Sequence, residues 1–170
     1  MISRLFVLCF MLYGSQASHA ESQITGAFGF DLGEKYVGPS STNIILDYPV
    51  TLHKVKPRSP ISLLDDYYIV KTRDNRIASI LGVQMNTSCN QEYTGLIAAL
   101  SKKYKNLATE DLSDGDQYVT DFNEDGYSRY IRVACELSWF GDLVYVDYTD
   151  MDLYKIVQNE ELGNLDTDAL

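Results

Sequence analysis

The chain is poor in the side chains that most often carry chemistry. Histidine occurs twice and cysteine three times in 170 residues. No Cys-x-x-Cys pair is present, and no His, Cys and carboxylate set has zinc-site spacing, so the signatures of dithiol redox and zinc chemistry are missing. Basic charge is also scarce: 14 Lys and Arg stand against 24 Asp and Glu, a formal net charge of −10. Such a surface repels phosphate backbones and anionic lipid, which excludes nucleic acid and favours a basic protein, a cation or a neutral ligand. Long apolar runs are absent too. Leu5 to Leu12 is too short to span a bilayer, and no later segment approaches the ~18 to 20 apolar residues that a membrane helix needs.

That short run instead has the setting of an export signal. Met1 and Arg4 precede it, and Ser18-His19-Ala20 follows with small residues at its first and last positions. Cleavage after Ala20 is expected. The implied product is periplasmic or secreted, is not inserted in a membrane, and has lost Arg4, which makes it slightly more acidic. Cys9 sits behind Phe6-Val7-Leu8, not at a cleavage site behind small residues, so a lipid anchor is not expected. The expected organisation is a signal peptide over 1–20, a single α+β domain over 21–162 and an acidic tail over 163–170, within the size of one core.

Cys89 and Cys135 remain after cleavage. Cys89 opens a segment running to Asn106 in which Tyr93, Leu96, Ile97, Leu100 and Tyr104 fall on one helical face, and Ser88 with Gln91 has capping-box spacing. Cys135 belongs to an alternating strand, with Ile131, Val133 and Leu137 on its side and Arg132 and Glu136 on the other. Both sulfurs therefore point into one interior, and in an oxidising compartment a structural Cys89–Cys135 disulfide is expected.

Most of the remaining chain reads as strand. Ala27 to Leu32 is a short early strand, and Asn43 to Leu46 with Tyr48 to Val55 is a further extended stretch. Pro57 and Pro60 mark a loop. Ile61 to Thr72 and Arg76 to Met85 flank a turn at Arg73-Asp74-Asn75. Gln117 to Phe122 and Tyr127 to Ser138 flank a second at Asn123-Glu124-Asp125-Gly126, and Asp142 to Thr149 is the last strand. Met151 to Leu162 has helical spacing, with Gly163 as its stop. The expected fold is an antiparallel sheet packed against one principal helix, with a short C-terminal helix and one disulfide.

Phe28-Gly29-Phe30-Asp31-Leu32-Gly33, Tyr67-Tyr68-Ile69-Val70, Arg76-Ile77-Ala78-Ser79-Ile80, the Cys89 segment ending Lys102-Lys103-Tyr104, Cys135, and Val146-Asp147-Tyr148-Thr149-Asp150 together resemble a family of small exported bacterial proteins of uncharacterised function. The resemblance implies fold and localisation, and it brings no catalytic residues. Lys105 stands where that pattern has glycine.

Candidate sites follow from the residues themselves. Asp121-Phe122-Asn123-Glu124-Asp125-Gly126 reproduces the first half of a calcium loop, with Asp121, Asn123 and Asp125 as candidate ligands. The closing bidentate glutamate is absent and Arg132 stands at its position, so the expectation is a hairpin turn with exposed acids and no cofactor. Glu110, Asp111, Asp114 and Asp116 form another acidic run nearby in sequence. His53 lacks a nucleophile motif beside it, and Asp65 and Asp66 alternate across a strand, so no catalytic residue is assigned. Tyrosine is plentiful, with 13 in the chain. Tyr130 and Arg132 lie on the strand face opposite Ile131 and Val133, and Tyr145 is expected to join them in a binding surface of aromatic area beside charge. Three functions remain open: an exported non-catalytic domain binding an unknown protein or small ligand, an acidic inhibitor or adaptor of a basic periplasmic or secreted enzyme, and a carboxylate-dependent hydrolase.

Overall fold

A computed structural model describes residues 23–43, 50–85, 89–104, 107–108, 117–123, 128–136 and 142–168. The signal segment, the Ser88 cap, the Glu110 to Asp116 run and Asp125 lie outside the described residues.

The main sheet is built from two antiparallel meanders. The first contains β3 (Ser41–Asn43), β4 (Leu52–Lys54), β5 (Asp66–Lys71) and β6 (Ile77–Met85). After the helix α1 (Cys89–Leu100) come β7 (Leu107–Ala108), β8 (Gln117–Asn123), β9 (Arg129–Glu136) and β10 (Leu143–Asp150). The last strand returns beside β6, giving the order β3-β4-β5-β6-β10-β9-β8-β7. The helix α2 (Met151–Asp168) follows directly. A separate small ribbon pairs β1 (Gly26–Ala27) with β2 (Phe30–Asp31). The fold is thus α+β, as the residue patterns predict.

Strand alternation divides the interior into two cores. Tyr67 and Ile69 of β5, Ile131, Val133 and Cys135 of β9, and Val144, Val146 and Tyr148 of β10 pack with Leu96, Leu100 and Tyr104 of the α1 segment. Tyr68, Val70, Leu81 and Val83 pack on the other side with Leu153 and Val157 of α2. Cover on both faces explains why β6 is buried almost without interruption from Ile77 to Val83. A register shift at Val70/Lys71 leaves Ala78 as an extra residue and turns Ile77 into the same core as Ile80.

Cys89 at the start of α1 is joined to Cys135 of β9, with Cα atoms 5.5 Å apart. The bridge fastens helix to sheet across a sequence separation of 46 residues. In the chain-entropy account a loop of that length contributes about 4 kcal/mol.

The strand expected from Ile61 begins only at Asp66, the helix opened by Cys89 ends at Leu100, short of Tyr104, and two further expectations give way to different structures. The expected strand from Ala27 to Leu32 is a tight hairpin, because Phe28 (φ 55°) and Gly29 (φ 84°) both adopt positive φ and reverse the chain in a two-residue turn. Phe28 is held there by Arg58 and Ser59, whose backbone N–H groups both donate to its carbonyl at 3.0 and 2.9 Å. The helix expected to stop at Gly163 runs through it to Asp168.

Candidate functional site

The β10 register sets the candidate site. Asp147 lies opposite Leu81 on one side and Arg132 on the other, and Arg132 lies opposite Asp121. One row across the sheet therefore changes from an apolar half beneath α2 to a charged half on β9 and β8. Thr149 pairs with Ser79 and Tyr130 in the row toward one end, and Tyr145 pairs with Val83 and Ala134 in the row toward the other. Tyr130, Arg132 and Tyr145 share this face and are all half-buried. The helix α2 packs on the same face, chiefly over β5, β6 and β10.

Arg132 is the centre of the charged half. Its Nε and Nη2 donate to the two carboxylate oxygens of Asp121 at 2.8 and 2.7 Å, a fork that fixes the guanidinium plane. This hydrogen bonding pushes the Arg132 pKa upward. The guanidinium also lies 5.7 Å from the Tyr130 ring centroid. The side chains remain open, 41% exposed for Arg132 and 24% for Asp121. Of the proposed calcium ligands, Asp121 thus has both oxygens engaged by a cation. Asn123 is placed only as part of the β8 backbone, and no group of three or more His, Cys, Asp or Glu among the described residues is arranged to hold a metal.

Beside that open pair lies a closed polar chain. Asp147 is 5% exposed, and its Oδ1 accepts from Ser79 Oγ at 2.5 Å and from Thr149 Oγ1 at 2.9 Å. Thr149 lies directly opposite Tyr130 in the β9–β10 register. Burial, followed by the charge of Asp147, raises the Tyr130 pKa; burial and then Glu136 raise that of Tyr145. The pKa of Tyr154 on α2 is raised by burial first and Asp147 next. At neutral pH these phenols are uncharged donors. Ser79 and Thr149 have no exposed surface, so this carboxylate and its hydroxyl partners act as a scaffold under the face.

Ser79, Asp147, Thr149 and Tyr154 did not stand out as a group in the sequence. A buried carboxylate amid strand residues signals a polar network, but its partner Ser79 is 68 residues away. The Arg132–Asp121 pair had a local signal: the two residues lie at matching register on the consecutive strands β8 and β9.

The other features do not converge on chemistry. His53 is half-buried on β4, and burial followed by the neighbouring charge of Lys71 lowers its pKa. Asp66 pairs with Lys54 at 2.6 Å while Asp65 is exposed. An open groove of about 590 Å³ lies there, lined in part by Lys54, Lys56, Pro57, Pro60 and Tyr67. The Tyr67 hydroxyl is engaged with the backbone of Ile61 and Leu64, holding the loop. Among the described residues no helix is long and apolar enough to cross a membrane. No family model, curated protein or solved structure matches the chain.

Proposed function

We propose that the protein is an exported, non-catalytic recognition domain whose binding face is the β9–β10 surface bordered by α2. The observation that carries this reading is the Arg132–Asp121 fork, partly exposed and flanked by Tyr130 and Tyr145 on a sheet face that α2 covers only in part. Planar, orientated polar groups beside rigid aromatic rings supply directional hydrogen bonds and contact area at small entropic cost, as recognition surfaces require. Support for export comes from the signal-like start and from the Cys89–Cys135 bridge, a bond that persists in oxidising compartments.

The test is capture from a periplasmic extract by the oxidised chain and by Arg132→Ala. That substitution removes the centre of the face without opening a core cavity, so it should weaken capture while the melting temperature moves by only a few degrees. Undiminished capture by Arg132→Ala and by Tyr145→Ala would refute the assignment.

A further inference from the structure

We propose that this face receives a cationic segment of a basic protein partner, an inference that rests on the recognition reading above. The local charge is one-sided. Arg132 is forked to Asp121 and lies opposite Asp147 in the β9–β10 register, and Glu136 lies on the same face of β9, two residues beyond Ala134, the register partner of Tyr145. Three carboxylates thus share this sheet face with one guanidinium, and that guanidinium is already gripped by both oxygens of Asp121.

An anionic ligand entering here has to compete with Asp121 for Arg132 and meets the charge of Glu136, with that of buried Asp147 beneath the face. A cationic one meets the opposite balance. The face already displays the required geometry, because Arg132 sits over the Tyr130 ring while forked to Asp121. A second aromatic and acidic pair stands beside it: Tyr145 and Glu136 lie diagonally across the β9–β10 pair on the same face. A lysine or arginine side chain laid across Tyr145 gains ring attraction and the field of Glu136 together. The charge of the whole chain, −10, acts in the same direction at long range and speeds encounter with a basic partner.

Binding of fluorescent octalysine, octaglutamate and a neutral oligosaccharide, cellohexaose, to the oxidised full chain tests this. Octalysine should bind saturably and lose affinity as salt rises. Glu136→Gln should weaken it by roughly fivefold, whereas Asp65→Asn, which removes the same charge from an exposed site just before β5, should change it by less than about twofold. Equal losses in the two variants would reduce the effect to bulk charge and overturn the proposal. So would a preference for octaglutamate or cellohexaose. If Tyr145→Ala abolishes such neutral or acidic binding while Glu136→Gln does not, the recognition face stands and the basic partner falls. If neither substitution alters any binding, both fall. Melting curves of each variant separate these outcomes from loss of fold.

Discussion

At the scale of single residues, two positions show how closely packing and polarity are fitted here. Gly82 lies on β6 beneath the small ribbon, and a Cβ built there would stand 2.4 Å from Leu64 Cδ1 and 3.0 Å from Phe28 Cζ. Its missing side chain is the space into which the Phe28 ring descends to meet Tyr67 edge-on at 4.9 Å. Gly82→Ala should therefore lower unfolding free energy by about 1–3 kcal/mol, the usual range for overpacking, as read by urea denaturation. An unchanged midpoint would mean that the ribbon yields without cost. Arg132 and Asp121 present a different balance. Their exposure limits the pair to about 1 kcal/mol or less of stability. Their geometry matters more for metal: calcium reaches Asp121 only by breaking a bidentate ion pair. Calorimetry should give no saturable heat at micromolar calcium, and tight binding abolished by Asp121→Ala would restore the loop as a metal site.

At the scale of elements, β9 is the strand on which the architecture and the candidate site meet. Its Ile131, Val133 and Cys135 side is fully buried against α1, and its Tyr130 and Arg132 side forms the open face. Cys135→Ser should lower stability by a few kcal/mol through loss of the loop constraint, measured by denaturation without reductant. Octalysine binding by the folded fraction should persist, because the sulfur lies on the opposite side of the sheet. Loss of both together would tie the face to the bridge. Such alternation was legible in the sequence, and so was the α1 stripe, because each depends on periods of two or about 3.6 residues within one element. The β1–β2 hairpin was not legible: Phe28 takes a positive φ that aromatic residues rarely adopt, and distant Arg58 and Ser59 hold it. Nor was the length of α2. A glycine inside a helix costs only about 1 kcal/mol relative to alanine, too little to end a helix anchored by Leu153 and Val157 in the core and by Glu161 accepting from the Thr51 N–H. Tyr130, Arg132 and Tyr145 could be grouped by strand parity, but Ser79 and Asp147 meet only because β10 returns to β6.

At the scale of the whole molecule, the buried tyrosines predict an alkaline limit to stability. Burial is the leading cause of the raised pKa at Tyr130, Tyr145, Tyr148 and Tyr154, so the folded state favours the neutral phenol more strongly than the unfolded chain does. The corresponding stabilisation is complete below the unfolded value of about 10 and is lost as pH rises through the higher folded values. His53 has the opposite sign at the acidic end. Its lowered pKa means that the folded state favours neutral imidazole, a contribution present above about pH 6.5 and lost as pH falls through the folded value. Urea denaturation across pH should therefore give a broad plateau near neutrality that falls steeply above about pH 10, the steeper limb because four phenols act together there. Tyr148→Phe keeps the ring in its core and removes one ionisable hydroxyl, so it should flatten the alkaline limb while leaving the neutral plateau close to that of the parent. An alkaline limb of unchanged slope in Tyr148→Phe and Tyr145→Phe alike would show that these phenols do not set the limit, and that self-repulsion of the acidic chain does.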